Sequence, residues 1–252
     1  LRCCSFDNSE LPIMDKNFNI TPPFFEIGPK AFLYGQKVLD LARHAEAISQ
    51  KYQVPIIFTP QSVDLYRVAQ ACPRLLVFAQ HMDALPVGRG VGSVLPEAVK
   101  DTGAAGVLLN HAEKPLSLDV IDATIRRADE VGLATLVCAG SMKEVKAVAA
   151  MTPNIVLAEA PELIGTGVRG DDDQKAIGLI NEAVRQINPA VHVLHGAGIT
   201  DEKDVYTIIA SGAEATGSTS GIIKAQNPFD MLERMIKAVR EAWNLTHRST
   251  EG

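Results

Sequence analysis

A single-domain α/β chain folded as a (β/α)8 barrel is what three features of the 252-residue sequence predict. Eight short apolar runs alternate with amphipathic segments, and no linker or change of composition divides them. One of them, Ile155-Val156-Leu157-Ala158, is short and β-branched enough to be a buried parallel strand. An open doubly wound sheet is the competing architecture. It usually uses fewer units and carries a glycine-rich phosphate turn after its first strand, and no such turn is present here.

Each unit can be read in order. Phe24 to Ile27 is the first strand, followed by the turn Gly28-Pro29-Lys30, and Val38, Leu41, Ala45 and Ile48 then fall on one helical face. Pro55 to Thr59 is the second strand, with a helix over about 61–71. Leu75 to Ala79 is the third, followed by a long glycine-containing loop and a short helix from Pro96 to Thr102. Gly106 to Leu109 is the fourth, and Ile121, Ile125, Ala128 and Val131 form the next helical stripe. Ala134 to Cys138 is the fifth, with a helix near 142–151.

Ile155 to Ala158 is the sixth strand, with a helix over about 173–187. Asp171-Asp172-Asp173 reads as that helix's start, where carboxylates favour the positive end of the dipole. Val191 to Leu194 is the seventh, with a helix near 201–211. Glu214 to Thr216 is a short eighth. The last helix spans about 228–244, with Leu232, Met235, Ile236, Val239 and Trp243 on one side. Residues 1–19 carry charges and Asn and lack the apolar centre of a signal peptide, so they read as a loose N-terminal extension to a barrel domain over 20–252.

Bulk properties exclude several classes of function. A formal net charge of −6 argues against a nucleic-acid footprint, which needs a basic stripe. No apolar run approaches the roughly 18 residues that span a bilayer. The cysteines (Cys3, Cys4, Cys72, Cys138) lack metal-ligand spacing, and reduced thiols in a cytosolic protein are the expectation, with Cys138 a core thiol.

In a barrel of this kind, functional groups stand at the C-terminal ends of the strands. That rule selects Lys30 after the first strand, Gln80-His81 after the third and Asn110-His111-Ala112-Glu113 after the fourth. It also selects Glu159 after the sixth, Gly196-Ala197-Gly198 after the seventh and Gly217-Ser218-Thr219-Ser220-Gly221 after the eighth. A Lys, a His and a Glu on the first, fourth and sixth strands would converge on one pocket. Glycine-rich turns after the last two strands are where this fold commonly holds phosphate. Glu159 is followed by Pro161-Glu162-Leu163-Ile164 and then by Gly165-Thr166-Gly167, whose glycines can flex. A carboxylate beside a loop that can close suits proton transfer. A solvated Glu at an ordinary β-to-α turn is the other reading of that stretch alone.

These residues resemble the triosephosphate isomerase family, in the compact form found in archaea, from about Phe24 to Trp243. The strongest likeness is Glu159 with Pro161-Glu162-Leu163-Ile164-Gly165-Thr166-Gly167, similar to the family's catalytic carboxylate and hinged lid. Leu109-Asn110-His111-Ala112-Glu113 is similar to its His segment, and Leu95 to Ala104 to the helix leading into it. Leu194-His195-Gly196-Ala197-Gly198-Ile199, and Ser220-Gly221 with Lys224-Ala225, resemble its two phosphate turns.

The resemblance implies a TIM barrel that interconverts glyceraldehyde 3-phosphate and dihydroxyacetone phosphate through an enediolate, a step of glycolysis and gluconeogenesis. Glu159 would be the base, His111 would polarise the carbonyl as a neutral imidazole, and Lys30 would offset negative charge. Glu113 and Asn110 would support them. Gly165, Gly196, Gly198, Ser220 and Gly221 would bind the phosphate, and the lid would exclude water. No metal or organic cofactor is implied. The partner is a small phosphorylated sugar, with no nucleic acid and no membrane, and the protein would be a cytoplasmic homodimer or homotetramer.

Four positions depart from the family pattern. Gly28 stands where an Asn is usual, Ala112 replaces a Ser after the His, Pro115 falls where an Arg is usual, and Ala160 replaces a Pro after the base. The loss of Asn at Gly28 would make room for a longer sugar phosphate. An isomerase of a related sugar phosphate, for example one of four carbons, and a phosphate-binding barrel with a decayed site are therefore the alternatives. His81 is expected in packing or at an interface. His192 and His195 are assigned no chemistry.

Overall fold

The protein, a computed structural model, is described over residues 18–159, 171–196 and 198–247. Strands β1 (Phe24–Ile27), β2 (Ile56–Phe58), β3 (Leu76–Ala79), β4 (Gly106–Leu109), β5 (Ala134–Ala139), β6 (Ile155–Ala158), β7 (His192–His195) and β8 (Ala215–Gly217) lie in sequence order. They form one closed barrel in which every neighbouring pair is parallel. β1 closes it against β8, with Phe24 beside Ala215 and Glu26 beside Gly217. The (β/α)8 architecture predicted from the sequence is the one observed.

Strand pleating explains why the runs look uniformly apolar. Successive side chains point to opposite faces of a strand. Phe25, Ile27, Ile56, Phe58, Val107 and Leu109 therefore pack outward against the helices. Phe24, Ile57, Phe78, Leu108, Leu136 and Leu157 fill the barrel interior. Both faces are dry, so neither shows a polar period.

The helices form the outer layer: α1 (Gly35–Tyr52), α2 (Leu65–Ala71), α3 (Pro96–Asp101), α4 (Leu118–Val131), α5 (Met142–Ala150), α6 (Asp171–Ile187), α7 (Glu202–Ala210), α8 (Ser220–Ile223) and α9 (Pro228–His247). Val38, Leu41, Ala45 and Ile48 of α1 are buried, as their spacing predicts. Side-chain oxygens satisfy helix-end amides left without an intrahelical acceptor. Asp64 Oδ2 accepts from Gly35 N–H at 2.8 Å, and Asp201 Oδ1 accepts from Lys203 and Asp204 N–H at 2.9 and 3.1 Å.

Differences from the sequence reading are small. β7 and β8 each begin one residue later than predicted, because the ladder to the neighbouring strand and not local hydrophobicity sets their ends. α8 has four residues and was not predicted, being too short to show a helical period. The proposed extension 1–19 lies outside the described residues up to 17. Phe18 packs its ring edge-on against Phe78 at 5.8 Å between centroids, and Ile20 is buried with the barrel interior. Among the described residues no helix is long and apolar enough to cross a membrane.

Candidate active site

Lys30, His111 and Glu159 line one cavity of about 530 Å³ at the C-terminal end of the barrel. That volume is ordinary for a small-molecule site.

Glu159 follows β6 directly. Its N–H donates to Ala139 O at 2.9 Å, extending the β5–β6 ladder one residue beyond Ala158 and fixing the side chain's root. Gly196 stands behind it, with its N–H donating to Ala158 O at 3.1 Å. A Cβ on Gly196 would lie 3.2 Å from Glu159 Cγ and 3.0 Å from Leu157 Cδ2. A bare backbone at that position lets the carboxylate lie against the β7 turn.

His111 is held by its neighbours. Asn110 has φ +57°, in the left-handed region that Asn tolerates better than most residues. Its side chain donates to Cys138 O at 3.0 Å and accepts from Leu116 N–H at 2.9 Å, pinning the loop to β5 and to its own far end. Lys114 N–H closes a turn onto His111 O at 2.7 Å, and Glu113 N–H donates to His111 Nδ1 at 3.0 Å. A ring that accepts at Nδ1 is the tautomer with its proton on Nε2.

Lys30 also has a left-handed backbone, φ +47°, the kind of strain that surrounding structure must hold in place. Gln80 supplies part of that hold by donating to Thr59 O at 2.9 Å and Lys30 O at 3.3 Å, tying the ends of the first three strands together. Lys30 Nζ donates to Glu113 Oε1 at 2.7 Å. This bond holds the Glu113 carboxyl below the usual carboxylate range. Of the two expected supporting residues, Asn110 thus bonds within the loop that carries His111 and Glu113 bonds to Lys30.

Of the expected phosphate residues, Gly198 and Ser220 line the cavity, and Gly198 has φ +66°. Gly196 and Gly221 are not among its lining residues. A Cβ on Gly221 would lie 2.8 Å from Ile199 O, Thr200 O and Ser218 Oγ, so this glycine brings the start of α8 against the β7 turn. Ser218 Oγ–H donates to Ile199 O at 3.0 Å and joins the two turns. Gly165, the lid through Gly167 and Ala160 lie outside the described residues.

Sequence reasoning missed the cavity's floor. Glu26 and Thr59 line it, with Thr59 Oγ1 donating to Glu26 Oε1 at 2.9 Å. Burial pushes the Glu26 carboxyl up to about 7, with the Thr59 bond opposing, Glu159 adding to the rise and Lys30 opposing it. The available signal was a carboxylate in an otherwise apolar four-residue strand, on the same face as Phe24. His81, expected in packing or at an interface, lines the cavity with Nε2 3.2 Å from Asp83 Oδ1. Cys138 is buried in the barrel interior, as expected of a core thiol, and burial raises it well above the ordinary thiol value. His195 points outward to α6, with Nε2 2.8 Å from Asn181 Oδ1, and burial lowers it to about 4. His192 pairs with Glu214 at 2.9 Å.

A closed (β/α)8 barrel whose open end gathers a carboxylate, an imidazole and an ammonium around one cavity defines a class: a barrel enzyme equipped for proton transfer. Residues 30–238 match the family model described as Triosephosphate isomerase. The chain is 38% identical over 219 residues to a triosephosphate isomerase of Sulfurisphaera tokodaii, covering 85% of this chain and 94% of that protein. It is 37% identical over 220 residues to one of Methanosarcina barkeri, covering 86% and 99%. A crystal structure of triosephosphate isomerase from Bartonella henselae has the same fold, with a TM-score of 0.72 at 13% identity, covering 88% of this chain and all of that one. The chain belongs to the triosephosphate isomerase family.

Proposed function

We propose that the protein interconverts glyceraldehyde 3-phosphate and dihydroxyacetone phosphate through an enediolate. The observation that carries this reading is the convergence of Lys30, His111 and Glu159, from three separate strands, on a cavity also lined by Gly198 and Ser220. Glu159 takes a proton from one carbon and returns it to the neighbouring carbon. His111 donates through Nε2–H to the substrate oxygens, because Glu113 N–H occupies Nδ1. Lys30 offsets the charge that builds on the enediolate, where a fixed cation in a partly dry site outweighs one in water. Backbone N–H groups of Gly198 and Ser220, which line the cavity, hold the phosphate, with Gly196 and Gly221 letting the two turns approach.

The chemistry needs no metal or organic cofactor. We place the enzyme in the cytoplasm as a homodimer or homotetramer. The exposed Val87 and Val91 in the loop before α3 support association, and light scattering that reads a monomer at micromolar concentration removes it.

The test is turnover of the triose phosphates by the wild type and by Glu159→Gln. Loss of a positioned base lowers kcat by about 10³-fold, while inorganic phosphate still binds to the variant by calorimetry. A wild type without triose phosphate turnover, or a variant that keeps it, sinks the assignment.

A further inference from the structure

Glu26 is the only Asp, Glu, Lys or Arg in the eight strands. It sits inside the barrel at 8% exposure. A carboxyl taken out of water there is costly unless hydrogen bonds or a ligand satisfy it. Among the described residues, Thr59 Oγ1 supplies its one hydrogen bond.

The surrounding backbone makes room for this group. A Cβ on Gly28 would lie 2.9 Å from Glu26 Oε1, and a Cβ on Gly217 would lie 3.0 Å from Oε2. Any side chain at either position would press on the carboxyl. The same point above Gly28 lies 3.1 Å from Thr59 Oγ1 and 3.3 Å from Thr219 Oγ1. Three oxygens therefore converge on the bare face of Gly28, inside the cavity whose rim carries Lys30, His111 and Glu159.

We infer that Glu26 and Thr59 form a hydroxyl-binding subsite, and that this site accepts a sugar phosphate one hydroxylated carbon longer than a triose, with the added hydroxyl on Glu26. This rests on the isomerase assignment above and extends its substrate class. On that assignment the rim and the phosphate turns engage the phosphate, the two reacting carbons and their oxygens. A triose phosphate has no further polar group to offer the floor, whereas one additional CHOH unit does. The group recognised is an alcohol and not a second anion, because a carboxyl with two hydroxyls presents no cation on the floor. The burial that keeps Glu26 protonated towards neutral pH leaves it able to donate as well as accept.

The test measures kcat/KM of the purified chain for glyceraldehyde 3-phosphate and for an aldotetrose 4-phosphate. Wild type, Glu26→Leu, Thr59→Val and Glu26→Gln are compared, with a thermal melt of each. The wild type turns over both sugars. The tetrose-to-triose ratio falls about tenfold in Glu26→Leu, the size expected for a lost hydrogen bond to a buried group. It falls less in Thr59→Val, and Glu26→Gln restores most of it because the amide still hydrogen-bonds. Equal losses for both sugars overturn the subsite. So does a wild type that isomerises the triose phosphate but not the tetrose. A wild type inactive on both sugars removes the isomerase assignment itself, and the subsite with it. Should Glu26→Leu fail to fold, the ratio in Thr59→Val decides alone.

Discussion

Two glutamates in one cavity, Glu113 on the rim and Glu26 on the floor, are displaced in opposite directions. The Glu113 side chain is 66% exposed, and the hydrogen bond from Lys30 is the largest influence on it, drawing the carboxyl down. Glu26 is 8% exposed, and desolvation is the largest influence on it, outweighing Thr59 and Lys30. Water near the rim leaves a partner free to decide the charge, whereas on the floor the missing water decides it. The two regions are also built differently. Rim groups are aimed by left-handed backbone at Lys30 and Asn110 and by amide clamps from Gln80 and Asn110. The floor carboxyl is placed by what is missing, the side chains at positions 28 and 217.

The largest effect that can break this contrast is a pH dependence of stability. Between pH 4.5 and about 7 the unfolded chain has released the Glu26 proton that the folded chain keeps. Stability therefore declines as pH rises through that window, and the decline from Glu26 amounts to about 3 kcal/mol. His195 works the other way. Its folded value near 4 lies below the unfolded 6.5, so stability is lost as pH falls through that range. The two partly cancel in the wild type, so the difference between Glu26→Gln and wild type isolates the floor group. That difference, from urea unfolding at several pH values, grows in favour of the variant from pH 4.5 to about 7 and is flat above. A difference independent of pH means that Glu26 is ionised in the folded protein and that floor and rim are alike.

The same contrast explains what could be read from the sequence. Lys30, His111 and Glu159 stand where an apolar run stops, next to Gly-Pro, Asn or a glycine-bearing loop, so the fold rule for strand ends reaches them directly. Glu26 lies within Phe24–Ile27, where four residues are too few for alternation to stand out and both faces are otherwise apolar. Gln80 was visible as a strand-end residue, but its clamp depends on β1, β2 and β3 ending side by side, which no local pattern encodes. Gly28 stands where the family pattern has an Asn, yet the sequence does not say that the carboxyl two residues earlier lies against its bare face.

A substitution at Gly28 sharpens that last point. Gly28→Ala puts a methyl 2.9 Å from Glu26 Oε1 and 3.1 Å from Thr59 Oγ1, so the carboxyl must move. Overpacking against the ends of side chains that can turn aside costs about 1 kcal/mol, the low end for such substitutions. In a Glu26→Ala background the methyl meets an empty floor and the cost largely disappears. A double-mutant cycle by denaturant unfolding then gives a coupling of about 1 kcal/mol. Additive costs place the Glu26 carboxyl away from Gly28.

The smallest effect belongs to the rim. Glu113→Gln removes the charge that pairs with Lys30 Nζ at 2.7 Å but keeps an acceptor at the same place and the backbone N–H that sets the His111 tautomer. Exposed pairs of this type contribute under about 1 kcal/mol, and salt reduces that further. Thermal stability therefore changes little. Catalysis is affected through Lys30, whose ammonium is no longer shared with a carboxylate and is free for the anionic substrate. KM for the triose phosphate drops a few-fold at low salt while kcat holds within a factor of two or three, and the advantage fades at high ionic strength. An equal fall in kcat and kcat/KM, insensitive to salt, would instead mean that Glu113 holds Lys30 in its reactive position, and that the rim depends on its ion pair as closely as the floor depends on its glycines.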